Sequence, residues 1–214
     1  MFDECPGCGG LHTDMAVDSA ESVVVCPTCG HQESIHREPL LIVSGAGGTG
    51  KSTVLNELRG TRDDAVLLDS DVLWRDEFWD DFEWYFQTWL RLCRDIAQSN
   101  RPPVLFGAGF GVPENLEAHP QYDCFSAVEY LVLLCDEDEQ RQRLQARPPE
   151  RHPDRFEITE ENVTEQVEFN QWLKDNAECE RDAVTTIDTT DETLETTAKQ
   201  VDEWITTQIE AHSD

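Results

Sequence analysis

One stretch, residues 40–53, constrains this chain more than any other. It reads Leu40-Leu41-Ile42-Val43-Ser44 and then Gly45-Ala46-Gly47-Gly48-Thr49-Gly50-Lys51-Ser52-Thr53. A short unbroken apolar run fits a strand buried on both faces. The residues after it match G-x-x-x-x-G-K-[ST] in full, between that strand and a following helix. The glycines let successive backbone N–H groups turn inward on phosphate oxygens, and the new helix adds the positive end of its dipole. Gly45, Ala46, Gly47, Gly48, Thr49 and Gly50 are therefore expected to form a phosphate cradle. Lys51 is expected to reach the β and γ phosphates, Ser52 to ligate Mg²⁺ through its hydroxyl, and Thr53 to support the α phosphate. The chain binds a nucleoside triphosphate on this reading.

The helix is expected to run to Leu58 and stop at Gly60. A second buried strand follows over residues 65–68 and ends at Asp69-Ser70-Asp71. In an open parallel sheet the carboxyl ends of the strands face the ligand crevice. One of these acids can hold Mg²⁺ and the other can take a proton from an acceptor hydroxyl as phosphoryl transfer begins. Further strands are expected over 103–106, 130–135 and 183–187, and a last amphipathic helix carries Val201, Trp204, Ile205 and Ile209 at helical spacing.

With this P-loop and this strand ending, the chain resembles the P-loop small-molecule kinases: shikimate and gluconate kinases, nucleoside and nucleoside-monophosphate kinases. The resemblance spans residues 40–212. It implies an α/β fold, a five-stranded parallel sheet with helices on both faces, and transfer of a phosphoryl group from ATP with Mg²⁺ to a small-molecule acceptor, nucleosides and nucleotides included. Carried over by position, Asp69 becomes the metal-side acid and Asp71 the acceptor-side base. The glycine cluster Gly107-Ala108-Gly109-Phe110-Gly111, interrupted by Phe110, stands where the kinases line their acceptor site. After the fourth strand they carry a helix and an arginine-bearing lid. Here Arg141, Arg143, Arg147, Arg151 and Arg155 crowd into fifteen residues, with Arg143 and Arg147 four apart on one expected helix face. Arg143 and Arg147 are the expected phosphate clamps, ion pairing with neighbouring acids being the alternative.

Four tryptophans fall between residues 74 and 89. At 100° per residue Phe78, Phe82, Tyr85, Trp89, Leu92 and Ile96 share one stripe and are expected to pack. Trp84 points to the opposite face, as a candidate for stacking on a flat acceptor or for a subunit contact.

Upstream, Cys5-Pro-Gly-Cys8 and Cys26-Pro-Thr-Cys29 give C-x2-C-x17-C-x2-C, the spacing of a four-thiolate zinc site. Gly9 and Gly30 permit the tight turn beneath each sulfur pair, and Val23-Val24-Val25 reads as a ribbon strand. Residues 1–37 are expected to form a structural zinc ribbon and residues 38–214 the P-loop kinase-like domain. Two disulfides are the alternative, disfavoured by the reducing compartment that intracellular nucleotide implies. The ribbon carries Asp3, Glu4, Asp14, Asp18, Glu21 and Glu33 against Arg37 alone, so nucleic-acid binding is disfavoured and contact with a protein partner is the better expectation. Cys93, Cys124, Cys135 and Cys179 lack metal spacing and read as small core residues.

Asp and Glu number 45 against 16 Lys and Arg, a net charge of −29. The acids are spread along the whole chain, which at low salt repels nucleic acid and anionic membrane. An acid-rich, lysine-poor surface resembles proteins of salt-in halophilic archaea. No apolar run approaches the roughly 20 residues of a membrane span, and the start lacks a signal-peptide pattern. A soluble, cytoplasmic protein is expected. A GTPase is disfavoured because no Asn-Lys-x-Asp motif is present. The serious rival is a mechanical ATPase in which residues 131–137 form a Walker B strand, Asp136 holding Mg²⁺ and Glu137 activating water. The chain is short for an AAA module, and the arginines that follow fit a kinase better.

Overall fold

A computed structural model describes residues 4–12, 15–75, 78, 81–147, 158–177 and 184–212. Its main sheet holds five parallel strands: β4 (Leu40–Ser44), β5 (Val66–Asp69), β6 (Pro103–Phe106), β7 (Val128–Leu134) and β8 (Val184–Asp188), in the order β5-β6-β4-β7-β8. All five residues of β4 are buried, which its central place requires. Alternate side chains leave by opposite faces. Leu41 and Val43 join Val54, Leu55 and Leu58 of α1 (Lys51–Leu58) and Val201, Trp204 and Ile205 of α6 (Leu194–Ala211). Leu40 and Ile42 join Tyr85, Phe86, Trp89, Leu90 and Cys93 of α2 (Phe82–Ala97). Each such side chain contributes roughly 1.5–3 kcal/mol by leaving water.

Most strands lie within two residues of their expected positions, because unbroken apolar runs mark them. Position 183 of the expected last strand lies outside the described residues, as do Arg151, Arg155 and Cys179. The helix stop is confirmed: Arg59 is extended after Leu58, and Gly60 has φ +78°. The expected aromatic stripe is corrected. The buried face of α2 is Tyr85, Phe86, Trp89, Leu90, Cys93, Arg94 and Ala97, whereas Phe82 and Leu92 are exposed. The helix starts at Asp81, whose side chain accepts from the Trp84 amide, and this sets a register different from one projected from Phe78.

Two further helices follow β7. One is α4 (Glu137–Gln145); the other, α5 (Glu160–Ala177), packs Leu173 against Val132 and Leu134. The short helix α3 (Glu114–Glu117) covers the end of α2. Ahead of the sheet, β1 (Ala16–Asp18), β2 (Val23–Val25) and β3 (Gln32–Ser34) form an antiparallel meander with a small core at Val24 and Ile35. It is tied to the main body by Arg37, which donates to the carbonyls of Ser19 and Phe125, and by Gln98, which exchanges hydrogen bonds with the His36 backbone.

Among the described residues no helix is long and apolar enough to cross a membrane.

Candidate active site

Strands β4, β5 and β6 deliver three loops to one end of the sheet. There they border a cavity of about 410 Å³. The loop after β4 has the expected shape. Gly45, Gly48 and Gly50 have φ of +143°, +90° and +103°. At Gly45 a β-carbon would stand 2.3 Å from the Leu133 carbonyl oxygen, so glycine is required by space as well as by angle. Gly47, Gly48, Gly50, Lys51, Ser52 and Thr53 line the cavity. Gly45, Ala46 and Thr49 shape the loop from behind, and Thr49 donates to the Ala46 carbonyl.

Lys51 folds back on its own loop and donates to the carbonyls of Gly45 and Ala46. Burial pushes its pKa down to about 8; Arg147 adds to that depression, while Asp71 and Asp69 oppose it. Asp69, Ser70 and Asp71 face the same cavity from the carboxyl end of β5. Asp69 Oδ1 accepts from the Asp71 amide at 3.0 Å, capping the turn Ser70–Leu73 and holding the Asp69 carboxylate against it. Arg59 stands 3.8 Å from the other Asp69 oxygen. Ser52 and Asp69 thus present a hydroxyl and a carboxylate to one space, a donor set of the hard oxygen type that suits Mg²⁺.

The glycine cluster after β6 is ordered by contact. Gly107 approaches Ser70, Gly111 approaches Ser44, and the Ser44 hydroxyl donates to the Ala108 carbonyl. Phe110 is buried, packing edge-on to Phe86 with centroids 5.1 Å apart. The residue that broke the expected glycine pattern is therefore part of the cavity wall.

Arg143 and Arg147 both line the cavity. They do not share a helix face, since α4 ends at Gln145 and Arg147 stands beyond its cap. Arg143 pairs with Glu139 and donates to the Thr189 hydroxyl and to the Thr189 and Thr190 carbonyls. Thr189 in turn donates to the Leu134 and Thr49 carbonyls. Arg143 thereby braces the loop after β8 against the P-loop.

Two expectations are corrected here. Trp84 does not line the cavity; it is half exposed and packs on Phe78 at 4.9 Å. Asp136 and Glu137 also lie outside it: Asp136 pairs with Lys174 and Glu137 with Arg141. The end of β7 lies beside the phosphate loop at Gly45, but these two carboxylates are engaged by Lys174 and Arg141 and do not line the cavity.

Two residues were missed. Gln166 of α5 accepts a hydrogen bond from the Gly47 amide at 2.6 Å. Gln140 of α4, fully buried, donates to the carbonyls of Gly47 and Gln166 at 2.7 and 3.0 Å. The pair clasps the tip of the phosphate loop. A signal for α5 was present: Thr159 caps the Asn162 amide, and Val163, Val167, Asn170 and Leu173 recur at helical spacing and are buried.

At the other end of the molecule the four thiols converge. The sulfurs of Cys5, Cys8, Cys26 and Cys29 all lie within 4.8 Å of one another, with Cys5–Cys29 at 3.6 Å and Cys8–Cys26 at 3.8 Å. A tetrahedron with Zn–S bonds of about 2.3 Å has edges of about 3.8 Å, so the set fits zinc. The two knuckles are alike: the amides of Gly9 and Gly30 donate to the carbonyls of Cys5 and Cys26, with both glycines left-handed. Burial raises the Cys26 thiol, but the Cys29 and Thr28 amides outweigh it and hold the group at about 6. The seven described cysteines are all free, so the disulfide alternative is not formed.

Three solved structures share the fold. A gluconokinase from Sinorhizobium meliloti 1021 aligns over 84% of this chain and 97% of its own, at 13% identity and TM-score 0.53. A sugar kinase from Janibacter sp. HTCC2649 aligns over 79% and 94%, at 10% identity and TM-score 0.55. The Deinococcus radiodurans tunicamycin resistance protein aligns over 79% and 96%, at 13% identity and TM-score 0.52. No curated protein matches the chain significantly in sequence. A family model described as an AAA domain does match, over residues 40–171. With its phosphate loop, both carboxylates and the clasping glutamines inside the matched segment, this chain belongs to the AAA domain family.

Proposed function

We propose that the chain transfers the γ-phosphoryl group of ATP, in the presence of Mg²⁺, to a hydroxyl or phosphate oxygen of a small molecule. One observation carries this reading: the phosphate loop and the paired acids Asp69 and Asp71 open on the same cavity. The kinase folds it shares support the same reaction class.

Lys51 leaves the Gly45 and Ala46 carbonyls and pairs with β and γ oxygens, which stabilise its charge. The loop amides hold the phosphates, and Arg147 adds positive charge from the end of α4. Arg143 keeps the loop after β8 in place beside the nucleotide. Ser52 and Asp69 would hold Mg²⁺, which supplies neutralisation of charge on the phosphate oxygens when bound. Asp71 takes the proton of the acceptor hydroxyl as its oxygen attacks the γ phosphorus. The bond from that phosphorus to the bridging oxygen breaks, ADP leaves with the electron pair, and Asp71 returns the proton to solvent. Catalysis of this kind is mostly positioning and electrostatics.

The domain division follows: residues 1–37 as a zinc-held ribbon that offers a protein-contact surface, residues 38–214 as the catalytic unit. The test is ADP release from Mg·ATP in molar potassium chloride, which screens the charge of −29. Nucleosides, nucleoside monophosphates, sugar acids and shikimate are added in turn. Release should depend on an acceptor, and Asp71→Asn should cut kcat by about 10²–10⁴ with ATP affinity kept. Full turnover in Asp71→Asn together with none in Glu137→Gln would exclude the kinase reading.

A further inference from the structure

The turn Ser70–Leu73 carries Asp71 to the cavity, and it is held from two directions. One peptide unit joins the Ser70 carbonyl to the Asp71 amide. Its amide end donates to Asp69 Oδ1 at 3.0 Å, and its carbonyl end accepts the Tyr85 hydroxyl at 2.8 Å. A peptide unit is planar, so a bond at each end fixes its tilt as well as its place. The next unit is held too, because the Trp74 amide donates to the Asp71 carbonyl at 3.1 Å. Both units flanking the Asp71 α-carbon are thus tied, which sets the direction in which its side chain leaves the backbone.

Tyr85 is the member of this set that belongs to another element. It lies on α2, and both it and Ser70 are buried. Its ring meets Trp74 edge-on, with centroids 5.2 Å apart and planes at 81°. Trp74 caps the turn, so one side chain holds the turn at its start through an oxygen and at its end through a ring. Gly107 packs so closely on the same turn that a β-carbon there would stand 2.5 Å from Ser70 Oγ. Packing alone does not call for the hydroxyl. The Tyr85 ring sits against Phe78, Phe86 and Phe110 with centroids 4.9, 5.9 and 5.5 Å away, and a phenyl ring would make the same contacts. A buried phenolic oxygen costs free energy unless it finds a partner, and its partner here is the carbonyl between the two acids.

We propose that Tyr85 is a positioning residue for Asp71: its hydroxyl holds the Ser70–Asp71 peptide unit so that the Asp71 carboxylate meets the acceptor oxygen. The role given to Asp71 rests on the kinase reading; the hold on its backbone rests on geometry alone.

The test is Tyr85→Phe, which keeps the ring contacts and removes one hydrogen bond. Thr88→Val is the control: Thr88 also donates from α2 to a backbone carbonyl, that of Trp84, and neither residue lines the cavity. Hydrogen exchange at single amides is read first, on the full chain in molar potassium chloride without nucleotide. In Tyr85→Phe the Asp71 and Trp74 amides should exchange about fivefold faster, the worth of one hydrogen bond, while those of β4 and β6 keep the parent's rates. Thr88→Val should change none of them. No rise at Asp71 and Trp74, or an equal rise across the sheet, overturns the proposal. ADP release from Mg·ATP is then followed with water alone and with each acceptor of the panel above. Tyr85→Phe should lower kcat about ten- to a hundredfold with KM for ATP unchanged, because a misplaced base costs turnover and leaves nucleotide binding intact. In an Asp71→Asn background the same substitution should cost less than about twofold, since a residue acting through that carboxylate has nothing to act on once it is gone. Equal losses in the two backgrounds overturn the proposal, and so does a raised KM for ATP with kcat kept. A parent that releases no ADP with any acceptor refutes the kinase reading instead, and the exchange rates still decide whether Tyr85 holds the turn.

Discussion

Lys51 is where the price of this site falls, and its size can be worked out. The ordinary lysine value is 10.5, and burial holds Lys51 at about 8. Each pKa unit is worth about 1.36 kcal/mol, so keeping the ammonium charged in the folded chain at neutral pH costs at most about 3 kcal/mol. The side chain is only partly covered, so water screens part of that penalty. Its two hydrogen bonds to Gly45 and Ala46 carbonyls return about 1 kcal/mol. Lys51→Met should therefore stabilise the nucleotide-free protein by about 1–2 kcal/mol while abolishing phosphoryl transfer. The pH dependence has a definite sign. Below pH 8 the lysine is protonated in both states and the whole penalty is present. As pH rises through 8 the folded chain loses its proton first, the unfolded chain holds more protons, and stability climbs until the unfolded lysine titrates near 10.5. Urea unfolding of parent and variant from pH 7 to 10 gives the difference, in which the cysteine and tyrosine titrations common to both cancel. The variant's advantage should shrink toward pH 10. A variant less stable than the parent at pH 7, or a difference flat with pH, would refute the claim that this lysine is held against its charge.

Two other outcomes follow from contacts elsewhere. Gln166→Ala frees the Gly47 amide for a phosphate oxygen and should lower the Kd for Mg·ATP about fivefold, the worth of one hydrogen bond; weaker binding by calorimetry would show that the carboxamide holds nucleotide rather than competing with it. The ribbon should carry one zinc per chain by elemental analysis, Cys26→Ser should lose it, and a chelator should unfold residues 4–37 before the main body, read by hydrogen exchange; retention of full protection in the metal-free chain would sink the structural-zinc assignment.

What could be read from the amino acids follows from how local each signal is. Unbroken apolar runs at 40–44 and 103–106 have no amphipathic alternative, so β4 and β6 are found to the residue. The phosphate loop is legible because its geometry is set by glycines within nine residues, and the knuckles because each is closed by a backbone bond four residues long. Asp69 and Asp71 were legible as a strand ending. Their meeting with Ser52 was an inference from sheet topology, and all three line one cavity.

The rest failed wherever one feature depends on the meeting of distant segments. Phe82 and Trp84 are two positions apart in α2 and so point to opposite sides of it, and which of them faces the cavity is set by how the helix packs on the sheet rather than by anything local. Arg143, expected from the kinase resemblance to clamp phosphates, does line the cavity; what no local signal showed is that Thr189, forty-six residues away, presents a hydroxyl and a carbonyl at 3.0 and 2.7 Å that hold it on the loop after β8. Gln140 and Gln166 carry no charge and match no motif, so nothing local marks them. They matter because α4 and α5 pack together beside the phosphate loop and supply the side-chain partners of the Gly47 amide and carbonyl. A β-carbon at position 47 would lie 2.7 Å from the Gln166 oxygen, so any larger residue there would push the carboxamide off the loop. A phosphate oxygen that takes this amide would displace the Gln166 carboxamide from it, which is why the Gln166→Ala test above reads the clasp directly.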